Sequence, residues 1–359
     1  MRILQLNLEK GWRGGERQTL LTARAQRDLG HDVELMVRAR SELAHRSMDE
    51  GFKVHYARNA ISLASRLAMH GSDFDIIHAQ TAGSVTGAVL SKPFHRRPVV
   101  FSRRTDFPVN TGERFTKFKW QHIDQLVAIS QSAAAEPRRF GIEPLIIPSA
   151  TLAIKPAPDR VKKFLDDSRL HGKRLIGTSA VLNIEKDPLT LIKAAAHVCH
   201  EQHDVVFLHW GAEGSSAQAA RALIKELNLE DQYLLLGFQK SPEQLYPILS
   251  GFVLCSAIEA LGSSLLDAMS QQVPVIGTHT GGIKDLLSSG RGLVSPVGDA
   301  QALAQNILWV LNNPQEAKAM ADLAHAFVQR EHDVQRMGQR YLDLYERLLN
   351  QVTRRLSKQ

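Results

Sequence analysis

Short apolar runs recur along this chain, each followed by a stretch in which apolar residues return every three or four positions. Runs of the first kind suit buried strands, and stretches of the second suit helices with one apolar face. In the first half the strand-like runs are Ile3–Leu8, Val33–Val37, Lys53–Tyr56, Asp75–Ala79, Pro98–Ser102, Gln125–Ile129 and Leu145–Ile147, with helical patterns such as Glu16–Leu29 and Ala82–Leu90 between them. The second half repeats the alternation. Its strands are Leu175–Ala180, Val205–Trp210, Tyr233–Leu236, Phe252–Cys255, Val273–Ile276 and Gly292–Val294, and its helices include Leu189–His200, Ser216–Leu227 and Asp299–Leu311. Alternating strand and helix predicts an α/β fold with parallel sheets covered on both faces. Ligands of such sheets sit beyond the carboxyl ends of the strands. The segment Pro148–Pro158 reads as a linker. Near the end, Pro314–Arg330 and Val334–Gln351 read as helices parted by a break at Glu331-His332-Asp333.

A length of 359 residues fits two domains, and 43% hydrophobic residues support full globular cores. The chain opens MRILQLNLEKGWRGG, a short strand and a glycine loop, so no signal peptide is expected. No run approaches the roughly 18–20 apolar residues that span a bilayer. Cys199 and Cys255 lie in apolar contexts and read as core residues, which fits a reducing compartment. The 15 histidines are scattered without metal-ligand spacing, so no metal site is expected. The net charge of +7 is uneven: residues 1–155 hold 23 Lys and Arg against 15 Asp and Glu, and the remainder 21 against 22. A basic first half admits nucleic acid, an anionic membrane or an acidic substrate as partner, or a solvated surface bias.

The stretch FVLCSAIEALGSSLLDAMSQQVPVIGTHTGGIKDL, residues 252–286, carries the most chemistry. A strand runs into Glu259, a small-residue turn Gly262-Ser263-Ser264 follows, and an amphipathic helix carries Asp267 before Pro274-Val275-Ile276 starts the next strand. The first amides of a helix lack internal partners, and the dipole makes that end positive, which suits phosphates and hydroxyl-rich anions. Seven residues separate the two acids. This spacing resembles the E-x7-E signature of glycosyltransferase family 4 (group 1), retaining enzymes of GT-B architecture, with Asp in place of the second Glu. The resemblance gives Glu259 to the donor sugar, Leu261, Gly262, Ser263 and Ser264 to sugar and phosphate, and Asp267 to the nucleotide ribose.

Some further stations follow from the same resemblance, and others from the residues themselves. Lys186, in LNIEKDPLTLIKAA, takes the place of a Lys that grips the diphosphate; the companion Arg is Val181 here, and the family's final Gly is Asp187. Gly14-Gly15 resembles a first-domain glycine loop facing the donor phosphate, with Glu16 beside it on the acceptor side. His78 falls near the transferred sugar in DIIHAQT, where many relatives have His-x-His and this chain has Gln80. At the end of the next strand, in FSRRTDF, Arg103 and Arg104 with Asp106 can meet a phosphate or a carboxylated acceptor, stand in for the Arg missing at position 181, or form surface arginines and an internal Arg–Asp pair. Gly211 and Gly214, then Gly237 and Phe238, resemble loops flanking the nucleotide, and Gly281-Gly282 with Asp285 closes the set. Residues 113–120, ERFTKFKW, interleave Phe115, Phe118 and Trp120 with Arg114, Lys117 and Lys119. Such a mix can dock on an anionic membrane, stack nucleic-acid bases, or bury its aromatics and snorkel its bases.

The resemblance implies two Rossmann-like parallel-sheet domains facing across a cleft. Residues 1–155 with a returning helix 334–359 would bind the acceptor, and residues 156–333 the nucleotide-sugar. The implied activity is retaining, metal-independent glycosyl transfer to a glycan or lipid-linked acceptor, in lipopolysaccharide or other surface-polysaccharide synthesis. It needs no cofactor; the donor is a substrate, with a UDP-sugar favoured. The implied place is the cytoplasm or the inner face of the cytoplasmic membrane, with no nucleic-acid partner. A sugar-nucleotide epimerase of the same fold and a basic nucleic-acid-binding protein are the alternatives.

Overall fold

In a computed structural model, which describes all residues except 153, 156 and 357–359, the chain divides into two compact units, Met1–Ala150 with His332–Gln359, and Thr151–Glu331. Parts of the expected linker 148–158 and the end of the expected returning helix 334–359 lie outside the described residues.

The first unit runs β1 (Arg2–Asn7), α1 (Gly14–Asp28), β2 (Asp32–Val37), α2 (Glu42–Asp49), β3 (Lys53–Tyr56), α3 (Ala60–His70), β4 (Ile76–Ala79), α4 (Ala82–His95), β5 (Val99–Arg103), α5 (Glu113–Gln121), β6 (Gln125–Ala128), α6 (Gln131–Arg139) and β7 (Leu145–Ile146). The second runs α7 (Pro158–Leu165), β8 (Arg174–Ser179), α8 (Pro188–Glu201), β9 (Val205–Trp210), α9 (Ala217–Glu226), β10 (Tyr233–Gly237), β11 (Gly251–Leu254), α10 (Ser263–Ser270), β12 (Val275–Thr278), α11 (Gly281–Leu287), β13 (Leu293–Ser295), α12 (Ala300–Asn312) and α13 (Pro314–Glu331). The final helix, α14 (Val334–Leu356), belongs to the first unit and packs on α1.

Strands sit within two residues of their expected bounds. The helices follow local chemistry. Ser41, Asn59, Thr81 and Ser130 each accept an amide at the start of α2, α3, α4 and α6. Helix α4 runs on through Pro93 to His95, past the expected end at Leu90, and buried His95 packs against Gly71.

Both sheets are wholly parallel. The first has the order β3-β2-β1-β4-β5-β6-β7, the second β10-β9-β8-β11-β12-β13. Parallel strands require crossovers, which cover both faces and leave strands as near-continuous apolar runs, as in Ile3-Leu4 and Val253-Leu254. The order reverses between β1 and β4 and between β8 and β11. At such a point the loops leave the carboxyl ends for opposite faces and open a crevice.

Two buried imidazoles make stability pH-dependent. His95 and His209 are both held neutral, their pKa pushed down to about 4 chiefly by burial. His209 bridges the Tyr233 hydroxyl on Nδ1 and the Ala180 carbonyl on Nε2. Between 6.5, the ordinary value, and about 4 the unfolded chain gains protons that the folded chain does not. The melting temperature is therefore expected to fall as pH drops through that window and to level off, on this account, below it. A melting series of the protein and of His209→Gln checks this: the variant should lose part of the slope.

Candidate functional site

The reversal between β8 and β11 brings together two loops that are distant in sequence. After β8, a single helical turn at Ile184–Lys186 leads to Asp187, whose backbone is left-handed at φ 44° and whose carboxylate accepts the Thr190 amide to start α8. Asp tolerates this conformation better than most residues, which accounts for an acid where the family has Gly. After β11, the chain reaches Glu259. The Lys186 ammonium and the Glu259 carboxylate form an ion pair, with the side chains 29% and 16% exposed.

The backbone around Glu259 is fixed from both sides. The amides of Ala257 and Ile258 donate to the Glu185 carbonyl. Thr278 Oγ1 donates to the Ser256 carbonyl, Thr280 Oγ1 to that of Ala257 at 2.9 Å, and the Gly282 amide to that of Glu259 at 2.9 Å. Gly282 lies against the turn so closely that a Cβ would sit 2.3 Å from the Ala260 carbonyl oxygen. Beyond Glu259, Leu261 is buried as an anchor, Gly262 turns at φ 92°, and Ser263 and Ser264 open α10 half-buried. A carboxylate for hydroxyls, an ammonium for anions and uncapped amides thus share one crevice.

The neighbouring loops close around it. The Gly211 amide donates to the Gly237 carbonyl, and those of Leu182 and Ser216 to the Ala212 and Leu182 carbonyls. Phe238 stands 64% exposed after Gly237, an aromatic face open to solvent. Asp267 differs from expectation. It is only 5% exposed, and its Oδ1 accepts the Thr151 hydroxyl at 2.5 Å. A ribose contact through that oxygen would compete with Thr151.

In the first unit, several expected ligand residues turn inward. Glu16 is buried and spends its carboxylate on the start of α1, accepting the Arg13 amide at 2.8 Å; burial raises its pKa. Arg103 is buried and donates to the Ala133 and Phe107 carbonyls, with its guanidinium over the Trp120 ring, so it pins the segment after β5 rather than meeting an acceptor. His78 is completely enclosed, with Nε2 2.8 Å from Ser102 Oγ and Nδ1 2.6 Å from the Tyr345 hydroxyl; burial lowers its pKa well below the ordinary value. A neutral imidazole with both nitrogens taken inside the core positions its neighbours and offers no atom to a substrate. Asp106 is half-buried, and its charge acts on Arg103. Gly15 lies in the first turn of α1, where an added Cβ would meet nothing within 4 Å, so packing alone does not call for glycine. Arg104 remains half-buried beyond the end of β5, donating to Gln80 Oε1 and Ser149 Oγ.

Sequence reasoning missed the partners that build these sites. Thr278 and Thr280 lace the Glu259 loop, and Gln5, Gln26, Ser102, Tyr341 and Tyr345 surround His78. Their signal was present: Gln5 interrupts the apolar run Ile3–Leu6 inside a buried strand, where an uncompensated amide would be costly.

The model of the family described as glycosyl transferases group 1 matches residues 161–326, and that of Glycosyltransferase Family 4 matches residues 12–150. The N-acetyl-alpha-D-glucosaminyl L-malate synthase of Bacillus anthracis is 31% identical over 124 residues, 34% of this chain and 32% of that protein. The N-acetylgalactosamine-N,N'-diacetylbacillosaminyl-diphospho-undecaprenol 4-alpha-N-acetylgalactosaminyltransferase of Campylobacter jejuni is 28% identical over 165 residues, 45% of this chain and 44% of that one. The matched segments therefore span less than half the length of these relatives. Anabaena HepE, solved with UDP-glucose, has a TM-score of 0.85 at 20% identity, covering 96% of this chain and 99% of its own. The shared fold is GT-B, with two parallel-sheet α/β units.

Because Gly282 abuts the turn that carries Glu259, Gly282→Ala should cost about 1–3 kcal/mol through overpacking. Denaturant melting measures this; an unchanged midpoint would show that the turn yields.

Proposed function

Because this chain belongs to the group 1 glycosyltransferases, we propose that it moves a sugar from a nucleotide-sugar donor to a hydroxyl of a glycan or lipid-linked acceptor, with retention at the anomeric carbon. The observation that carries this reading is the Lys186–Glu259 pair at the β8/β11 reversal, beside the opening amides of α10.

In this reading Glu259 accepts hydrogen bonds from donor-sugar hydroxyls, while Leu261, Gly262, Ser263 and Ser264 present backbone to sugar and phosphate. The anomeric C–O bond to the diphosphate breaks, and its electron pair leaves on the phosphate oxygen. The acceptor oxygen attacks from the same face, and its proton passes to the departing phosphate. Lys186 and the α10 amides, aimed where that negative charge grows, take the load without a metal. Val181 removes one cation from the expected set, so Lys186 carries more of it. Gly211 and Phe238 flank the nucleotide, with the Phe238 ring available to its base. A UDP-sugar is the favoured donor, supported by the UDP-glucose complex of Anabaena HepE. A lipid-linked acceptor in surface-glycan synthesis is supported by the diphospho-undecaprenol acceptor in the name of the Campylobacter relative.

Among the described residues no helix is long and apolar enough to cross a membrane. Helix α5 nevertheless leaves Phe115 and Phe118 exposed and stacked at 6.5 Å, while Trp120 and Lys119 turn inward. Lys119 donates to Thr86 Oγ1 on α4, and Leu90 and Phe94 continue that stripe of α4, with Phe94 70% exposed. Bases of this region, including Arg114 and Lys117, suit docking on an anionic inner membrane face.

Two experiments test the proposal. UDP should raise the melting temperature, and Glu259→Gln should keep the fold and the UDP shift while losing transfer from UDP-sugar; full turnover in that variant refutes the site. Turnover of donor to an isomeric donor without any acceptor would favour the epimerase. The protein should sediment with phosphatidylglycerol vesicles, and Phe94→Ser with Lys117→Ser should release it; equal sedimentation of the variant removes the membrane partner.

A further inference from the structure

A directed chain of hydrogen bonds lies under the carboxyl ends of β1, β4 and β5. Gln80 Nε2 donates to Gln5 Oε1, Gln5 Nε2 to Gln26 Oε1, and Gln26 Nε2 to the Tyr345 oxygen, at 2.8, 2.8 and 3.0 Å. The Tyr345 hydroxyl in turn lies 2.6 Å from His78 Nδ1. His78 Nε2 lies 2.8 Å from Ser102 Oγ, which lies 2.8 Å from the Tyr341 hydroxyl. Every member is buried and neutral. The three amides all donate the same way, away from Gln80 Oε1, which is the acceptor at the Arg104 end of the run.

Arg104 caps that end. Its Nε and one terminal nitrogen both donate to Gln80 Oε1, at 3.1 and 2.8 Å, and the other terminal nitrogen donates to Ser149 Oγ at 3.2 Å. The Tyr341 phenol adds a further neutral neighbour. Among the described residues no carboxylate lies within ion-pair distance of this guanidinium. Glu16 acts on it only through space, and its carboxylate is committed to the start of α1. Burial lowers the Arg104 pKa, as expected for a charge taken from water without a partner. A half-buried cation on neutral supports is costly unless a ligand supplies the anion. It also stands one residue past the end of β5, where ligands of parallel sheets sit.

We propose that Arg104 seats an anionic group, a carboxylate or phosphate, carried by the acceptor, and that Gln80 is the residue that positions it. This rests on the glycosyl-transfer reading and deepens it by naming the acceptor class. A guanidinium whose lateral fork is already held by one amide oxygen keeps its orientation before the ligand arrives, so less freedom is lost on binding. Gln80 suits this task because its oxygen supports the cation without neutralising it.

The test uses inorganic phosphate and malonate as probes, titrated calorimetrically into the full chain with UDP at saturation. The protein should bind at least one of them. Arg104→Gln should weaken that binding at least about tenfold, the scale of one charge-assisted contact. Gln80→Glu, which puts a carboxylate against Arg104, should weaken it similarly. Both variants should keep the UDP-induced rise in melting temperature, which also shows that they fold. No anion binding by the unmodified protein, or equal binding by both variants, overturns the proposal. Loss of UDP binding in Arg104→Gln gives the guanidinium to the donor diphosphate and overturns the acceptor assignment. Failure of UDP to bind the unmodified protein counts against glycosyl transfer instead, and the anion titration without UDP still reads Arg104 directly.

Discussion

Parallel pairing is the constraint on which the rest depends. A parallel strand cannot be reached by a tight turn, so successive strands within each sheet are joined by crossovers. Crossovers on both faces force the strands to be apolar throughout and send every strand-to-helix loop to the same edge of its sheet. The reversals at β1/β4 and β8/β11 then part the loops. Chemistry collects at those points because backbone groups there are not used up by the ladder.

The two units solve the next problem differently. In the second, the loops are tied by backbone and threonine hydrogen bonds to neighbouring loops, so Glu259 is fixed by its main chain while its side chain meets Lys186. In the first, support comes from below, through a run of amides, phenols and one imidazole that reaches α14. A buried polar network costs heavily if one member is unpaired and rigidifies if all are paired. The return of α14 to this unit supplies Tyr341 and Tyr345, without which His78 would lose a partner on Nδ1.

Each departure from the family pattern acquires a local account where the structure supplies a partner. Asp187 caps α8 from a left-handed backbone, so the acid does what a glycine's freedom and a separate cap would do. Gln80 in place of a second His offers an oxygen to Arg104 and an amide to Gln5 in one side chain. Asp267 is short enough to meet Thr151 within its own unit. Nothing in the structure explains Val181.

Periodicity and glycine punctuation made the alternating strands and the parallel α/β class legible, because strand burial is written in residue type and spacing; the loops of Lys186 and Glu259 were singled out by the family resemblance. Helix α4 was legible except for its last turn, which passes Pro93 and rests on the contact of His95 with Gly71. What sequence alone left undecided was the direction in which each polar side chain points. Glu16, His78 and Arg103 stand at the strand ends and helix starts where ligands are met, yet all three turn into the protein. Arg104, the next residue along, does not complete an ion pair. Adjacent positions at the end of a strand face opposite sides, and the partners that decide between interior and crevice come from segments as distant as Ala133 and Tyr345. Only the tertiary structure brings those partners within hydrogen-bonding reach.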